Sequence, residues 1–199
     1  MTTLNSPSAE TSTQELEHGH EDHRMFGVAT FLVADAMTFA GFFAAYLTFH
    51  AVNPLQPDAV YELELPLPIL NTVLLLVSSA TFHKAGQKLR LRDNPACRQW
   101  LLITGFLGLS FLVSQMVEYF TLPFGLTDNL YASTFYALTG FHGLHVTLGA
   151  LMILIVWWQC RTPSGRVTAD NQFPLEAVEL YWHFVDGIWV VLFLILYLL

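Results

Sequence analysis

The sequence predicts an all-α membrane protein, a polytopic bundle of five transmembrane helices. Of the 199 residues, 54% are hydrophobic and only 12% are charged, a composition that excludes an ordinary soluble domain. Five apolar stretches are close to or above the roughly 20 residues that a helix needs to cross the hydrocarbon core. Runs this long do not suit the strands of a small barrel, so helix is the default for each of them.

The five predicted spans follow one another without an internal repeat or a second domain: Phe26 to Phe49, Leu67 to His83, Gln99 to Phe120, Ser133 to Trp158, and Ala177 to Leu198. Pro66 and Pro68 stand at the start of the second span, where a missing amide donor costs nothing. Glu176 and Glu179 open the fifth, where the helix dipole favours anions. We therefore predict a single transmembrane domain over residues 25–199.

The first 24 residues have a different composition from the rest of the chain. They are rich in Ser, Thr, Gln, Glu and His and contain hardly any apolar residue. They also lack the basic start and the short apolar core of a signal peptide. We predict that residues 1–24 form a disordered, uncleaved tail on the cytoplasmic side.

The basic residues predict the orientation of the bundle. With five spans, all eight lie on one side of the membrane: Arg24, Lys84, Lys88, Arg90, Arg92, Arg98, Arg161 and Arg166. The other two loops contain acidic residues and no Lys or Arg. By the positive-inside rule the N-terminus is cytoplasmic and the C-terminus faces out. Cys97 and Cys160 then lie at the reducing side, so no disulfide is expected.

Charged and strongly polar side chains at membrane depth are the candidate functional residues, because burying them in lipid is costly. We predict a buried polar network that fixes helix packing and lipid or proton access, made of Asp35, Glu118, His142, His145, His183 and Asp186. From depth along the helices, Asp35 is expected to share a network with His183 and Asp186. A contact between Glu118 and His142 is expected only at a stretched distance.

His142 and His145 raise the question of a metal site, because a spacing of three puts both on one helix face. A closed site also needs two further ligands at the same depth, and Glu118 is the one candidate. The spans contain no cysteine, no HExxH motif and no glycine-rich phosphate loop. We interpret the histidines as buried hydrogen-bonding residues, with proton transfer as the alternative, and predict no catalytic residue and no metal ligand.

Three strings of the sequence resemble a known family. They are "FLVADAMTFAGFF" (31–43), "STFYALTGFHGLHV" (133–146) and "YWHFVDGIW" (181–189). In this order, and with the segments between them, they are similar to subunit III of the haem-copper terminal oxidases, in a five-helix bacterial form. The similarity is greater to the cytochrome c oxidase branch than to the quinol oxidase branch.

The resemblance implies an accessory, non-catalytic subunit of an aa3-type cytochrome c oxidase, in a bacterial inner membrane or an internal energy-transducing membrane. Such a subunit supports assembly, lipid binding and proton uptake of the catalytic subunit, which reduces oxygen to water and pumps protons. The haem and copper lie in partner subunits, and bound phospholipid is expected here. The implied partners are subunit I directly, subunit II and a small subunit IV, with no nucleic acid.

Two features of the sequence depart from the family pattern. The buried carboxylate of the first matched span is usually glutamate, and this chain has Asp35, so the sequence leaves open whether Asp35 carries protons or only packs. Longer members have seven spans, and this chain starts at what matches their third. A stand-alone proton-coupled transporter is the alternative from another class, but it would be expected to show broken helices or paired repeats, and neither is visible.

Overall fold

A computed structural model describes the backbone of residues 8–52, 66–128, 130–161 and 166–198, which fold into five helices. The helices are α1 (Ser8–Val52), α2 (Pro66–Arg90), α3 (Asn94–Thr121), α4 (Leu130–Gln159) and α5 (Phe173–Phe193), and α5 continues into a π-helical turn (Leu194–Leu198). Each helix contains a stretch long and apolar enough to cross a membrane. The predicted all-α class and the predicted five spans are confirmed.

The start of α1 differs from the prediction. The tail predicted as disordered over residues 1–24 is helical from Ser8 onward, and residues 1–7 lie outside the described part of the chain. Extending an existing helix fixes one residue for each hydrogen bond gained, whereas starting a new one is costly. The long apolar helix therefore supplies the nucleus from which the polar segment continues, and the cytoplasmic location of this segment stays a prediction.

Four of the helices form a closed ring, and the fifth lies on its outside. Helix α2 packs most extensively on α3, α3 packs on α4, α4 on α5, and α5 again on α2. Helix α1 packs mainly on α4 and α5. In the apolar window of α1 only 11% of residues are buried, against 28% to 39% in the other four helices. The core of the protein is thus the interior of the α2–α5 ring.

Trp182 of α5 occupies the centre of this ring and contacts its three other helices. The indole is fully buried, and its Nε1 donates a hydrogen bond of 2.9 Å to Ser78 Oγ on α2. Two glycines make room for the ring. A Cβ at Gly108 on α3 would lie 2.6 Å from the indole, and one at Gly149 on α4 would lie 2.7 Å from it.

A three-residue turn joins α2 to α3. Arg92 adopts a left-handed conformation with φ 58°, and the amides of Arg92 and Asp93 donate to the carbonyls of Leu89 and Lys88. This pattern is a Schellman motif, which satisfies the last carbonyls of a helix. The Asp93 side chain then accepts a hydrogen bond of 3.2 Å from the Ala96 amide, so the residue that ends one helix caps the next.

The basic side chains gather at one end of the bundle, as five spans require. Arg90 pairs with Glu176 at 3.1 Å, and Arg92 pairs with Asp170 at 2.5 Å. Three other cations lie over aromatic rings: Arg24 over Phe173 at 4.4 Å, Lys84 over Trp100 at 4.8 Å and Arg98 over Trp157 at 5.1 Å. These contacts bring the α2–α3 turn, the start of α5 and residue 24 together; we call this the basic end.

We expect Gly108→Ala and Gly149→Ala each to destabilise the bundle by about 1 to 3 kcal/mol, the usual cost of overpacking a core. The added methyl group would press on a buried indole that the surrounding helices hold in place. Thermal unfolding of the purified protein in detergent, followed by circular dichroism, measures the change.

Gly143→Ala on α4 is the matched control, since a Cβ there meets nothing within 4 Å. This substitution raises the helix propensity by the same amount as Gly149→Ala, but the added methyl group clashes with no neighbour. Equal melting temperatures for Gly143→Ala and Gly149→Ala would contradict the central role of Trp182.

Candidate functional site

The six residues predicted as one polar network lie in separate places inside the bundle. The structure distributes them over four locations: Asp35 with His145 between α1 and α4, His183 and Asp186 between α2 and α5, Glu118 between α3 and the end of α5, and His142 among aromatic rings. Each location has its own geometry, and each therefore has its own chemistry.

Asp35 pairs with His145 rather than with His183 and Asp186, so the prediction of its partners was wrong. The Nε2 atom of His145 lies 3.2 Å from Asp35 Oδ1, and the two side chains are only 8% and 11% exposed. Depth along a helix does not determine which neighbour a side chain faces. Helix α1 lies against α4 as well as α5, and Asp35 points toward α4.

The hydrogen bonds of His145 define its protonation. Its Nδ1 lies 2.7 Å from the Phe141 carbonyl oxygen, and since a carbonyl only accepts, Nδ1 carries a hydrogen. The Nε2 atom is the one that faces the Asp35 carboxyl group. The rings of Phe39 and Phe141 lie 5.1 Å and 4.6 Å from the imidazole, so the pair is surrounded by apolar surface.

A row of polar side chains crosses the α2–α5 interface. His83 Nδ1 lies 3.1 Å from Glu179 Oε1, which lies 3.6 Å from His183 Nε2. On the other side of the imidazole, His183 Nδ1 lies 2.7 Å from Ser79 Oγ, and Ser79 Oγ donates at 2.5 Å to Asp186 Oδ2. These five residues are called the α2–α5 chain.

Sequence reasoning placed two members of this chain, His183 and Asp186, in the predicted network and missed Ser79, His83 and Glu179 as site residues. A signal was present, because Ser79 and His83 are four residues apart and Glu179, His183 and Asp186 follow a spacing of four and three. Both sets therefore form a stripe on one helix face. Two polar stripes on neighbouring antiparallel helices can face each other, and this match could have paired them.

Glu118 holds the end of α5 against α3. Its Oε1 accepts a hydrogen bond of 2.7 Å from the Tyr197 hydroxyl, and its Oε2 accepts one of 3.1 Å from Gln115 Nε2. No feature of the sequence pointed to Tyr197 as the partner of Glu118. No hydrogen bond or ion pair joins Glu118 to His142 in the described residues, and their predicted stretched contact is not formed.

His142 is fully buried but makes no hydrogen bond. Its ring lies 5.2 Å from the Trp189 ring and 5.6 Å from the Phe111 ring. Neither ring nitrogen has a hydrogen-bond partner in the described part of the chain. The predicted hydrogen-bonding role is therefore correct for His145 and wrong for His142, because α3 and α5 present aromatic surface at this level.

The structure also offers no arrangement of metal ligands around the two histidines. Within the described ranges, no three His, Cys, Asp or Glu side chains are placed so that they could hold a metal ion. His145 uses both nitrogens in the contacts described above, and His142 is enclosed by aromatic rings.

A groove of about 630 Å³ lies between the C-terminal half of α3 and the middle of α4. Its lining is mainly apolar, and Gly140 and Gly143 lower one of its walls. At the same wall the hydroxyls of Tyr119 and Thr139 are joined at 2.8 Å. The groove is bordered by side chains that face outward, so in a bilayer it is open to the surrounding lipid.

Comparison with known proteins identifies the family. A model of the family described as Cytochrome c oxidase subunit III matches residues 10–199. The Cytochrome c oxidase subunit 3 of Synechocystis sp. is 52% identical, over 92% of this chain and 78% of that protein. The protein of the same name from Thermostichus vulcanus is 42% identical, over 92% of this chain and 90% of that protein. The chain belongs to the cytochrome c oxidase subunit III family.

The similarity extends to animals, where the Cytochrome c oxidase subunit 3 of Bos taurus is 35% identical over 86% of this chain and 68% of that protein. The resemblance predicted from the sequence is thus confirmed. A subunit III is one component of an oxidase complex. The three strings that carried the resemblance contain several of the buried contact residues, among them Asp35, His145 and Trp182.

We expect Asp35→Ala and His145→Ala to be strongly non-additive in stability. Hydrogen bonds to charged groups contribute about 1.5 to 3 kcal/mol, and either substitution alone removes the whole contact. In a double-mutant cycle the doubly substituted protein should therefore lose less than the sum of the single losses. Unfolding of the purified protein in mixed micelles, followed by circular dichroism, provides the four free energies.

The matched control is the cycle of Asp35→Ala with His142→Ala. Because no hydrogen bond links Asp35 to His142, these two losses should add. An interaction energy near zero for Asp35 with His145 would show that their contact does not hold α1 on α4.

Proposed function

We propose that this chain is the accessory subunit III of an aa3-type cytochrome c oxidase, where it supports assembly, lipid binding and proton uptake of the catalytic subunit. The observation that carries the proposal is the family match over residues 10–199. The relatives described above are named as subunits of a cytochrome c oxidase, which favours cytochrome c over quinol as the electron donor.

The geometry of the polar groups supports an accessory rather than a catalytic role. Within the described residues, each buried acid of the predicted network is engaged with a partner on another helix, and these contacts lie at three different helix interfaces. Helices α1 to α4 run unbroken through their apolar stretches, which argues against a stand-alone transporter. In this proposal haem and copper belong to partner subunits, with subunit I in direct contact and subunits II and IV further away.

The groove between α3 and α4 supports the proposed lipid binding. Its volume of about 630 Å³ and its apolar lining suit an acyl chain, because a chain that fills it replaces loosely packed lipid by continuous van der Waals contact. Gln115, Tyr119 and Thr139 add a few polar atoms to the wall, where an ester group could accept a hydrogen bond.

The basic end supports the proposed orientation in the membrane. Arg24, Lys84, Arg90, Arg92 and Arg98 make their contacts there. Cations are concentrated on the cytoplasmic side of bacterial membrane proteins. We infer that the N-terminus is cytoplasmic and the C-terminus faces out, in the inner membrane or in an internal energy-transducing membrane.

Purification through an affinity tag on this chain tests the proposed function. We expect the tagged chain to bring down a large haem-containing subunit with a haem a spectrum, and the complex to oxidise reduced cytochrome c with consumption of oxygen. A complex that oxidises quinol but not cytochrome c would assign the chain to the other oxidase branch. A haem-free oligomer of this chain alone would contradict the proposal.

The orientation can be tested with cysteines introduced at exposed positions. Cys97 and Cys160 are buried, with 0% and 3% exposure, so they are poor reporters and are replaced by alanine. Leu91 beside the α2–α3 turn and Leu126 in the α3–α4 loop are 72% and 56% exposed. We expect an impermeant thiol reagent to label Leu126→Cys in intact cells and Leu91→Cys only after permeabilisation. The reverse pattern would invert the topology.

A further inference from the structure

The α2–α5 chain connects the surface near the basic end with the interior of the bundle. The His83 and His183 side chains are 59% and 41% exposed and that of Glu179 is 14% exposed, while Asp186 at the end of the series is 4% exposed. Every member can take up or pass on a proton, and no link in the series is longer than 3.6 Å. We propose that the α2–α5 chain transfers protons from the water at the basic end to Asp186. This inference rests on the proposed role in proton uptake.

The hydrogen bonds give the chain a direction. Ser79 has a single hydroxyl hydrogen, which it donates to Asp186 Oδ2 at 2.5 Å. Ser79 Oγ must therefore accept the hydrogen bond of 2.7 Å from His183, so the Nδ1 atom of His183 carries a hydrogen. The other imidazole nitrogen faces Glu179 at 3.6 Å. An imidazole with a partner at each nitrogen can accept a proton on one side and release another on the opposite side.

Proton transfer along the chain is balanced at each step. Water delivers a proton to the exposed ring of His83, which passes the proton on its Nδ1 to Glu179. Glu179 gives a proton to His183 Nε2, and His183 releases its Nδ1 proton to Ser79 Oγ. Ser79 gives its own hydrogen to Asp186 Oδ2. One O–H bond forms at Asp186, one proton leaves the water, and no electron is transferred.

Asp186 is the inner end of the chain within the described residues. Its Oδ2 accepts from Ser79, while its Oδ1 is buried and has no hydrogen-bond partner in the described residues. An ionised carboxylate that is deprived of water and holds a single donor is costly. Uptake of a proton removes that charge, so Asp186 is suited to store the proton that the chain delivers.

The packing of α5 on α2 keeps the chain in register. Trp182 and Trp189 each donate a hydrogen bond to a hydroxyl group of α2, at 2.9 Å and 3.0 Å. Gly86 permits the close approach of Glu179, because a Cβ at this position would lie 3.2 Å from Glu179 Oε2. The donors and acceptors are therefore held at transfer distance by the backbone positions of two helices.

Other titratable groups on the helices around α5 are engaged in contacts of their own. These contacts are Asp35 with His145 on α1 and α4, Glu118 of α3 with Tyr197, and Arg90 of α2 with Glu176. His142 of α4 lies against Trp189, beyond Asp186 on α5. None of these groups forms part of the route from His83 to Asp186.

Infrared spectroscopy of the purified complex tests the inference. Asp186→Asn identifies the carboxylic acid band of Asp186 as the band that it removes. On transfer to heavy water this band should shift rapidly in the parent protein. In Ser79→Ala, which breaks the chain beside Asp186, the shift should be slower by at least about tenfold, in line with the usual effect of a positioned proton donor.

Ser110→Ala on α3 is the matched control, because this serine donates to the Phe106 carbonyl of its own helix and lies outside the α2–α5 chain. It should leave the rate of exchange close to that of the parent. Equal rates in Ser79→Ala and the parent would overturn the inference. So would the absence of an Asp186 acid band at every pH at which the complex stays assembled.

The infrared readout does not depend on oxidase activity. If the purified complex lacks haem but the exchange of the Asp186 band is slower in Ser79→Ala than in the parent, the proposed function fails and the inference about the α2–α5 chain stands. If the complex oxidises cytochrome c while Ser79→Ala exchanges like the parent, the proposed function stands and the inference fails.

Discussion

The insertion of Trp182 between two glycines is the packing constraint on which the rest of the bundle depends. The indole is in contact with Gly108 of α3 and Gly149 of α4 and donates to Ser78 of α2, so one side chain of α5 determines its distance from three helices. In a bilayer helices associate through close packing and hydrogen bonds, since lipid offers little hydrophobic driving force. A large ring between two residues without side chains supplies both kinds of interaction at one point.

The buried polar groups take their places from this packing and in turn connect helices in pairs. Asp35 and His145 join α1 to α4, Glu118 and Tyr197 join α3 to the end of α5, and Ser79 joins α2 to α5 through two side chains. Each contact spans a single interface, because an unpartnered charge in the interior is costly and the nearest suitable group removes that cost. A subunit built in this way holds its helices together through polar contacts between neighbouring helices.

Much of the fold followed from the sequence, but few of the contacts did. The length of the apolar runs predicted five helices, and the basic residues in the loops predicted that successive helices cross the membrane in opposite directions. Both properties can be read from single segments of the sequence. The partner of Asp35, the role of Tyr197 and the isolation of His142 depend on which helices are neighbours and how each is rotated. That rotation is determined by shape, as at Gly108 and Gly149, and a hydrophobic pattern that covers nearly the whole helix circumference does not report it. The helical start at Ser8 was missed because composition describes a polar segment without regard to the helix that follows it.

The position of α1 outside the ring has a consequence for the biogenesis of the protein. This helix is synthesised first, yet it packs mainly on α4 and α5, which leave the ribosome last. At about 5 to 20 residues per second, synthesis of the intervening segments takes seconds. During that time Asp35 is in the membrane without His145, at a cost of about 2.5 to 3.5 kcal/mol for an acid at the centre of a lone helix. The carboxylate of Asp35 therefore carries this cost until the fourth helix arrives with His145.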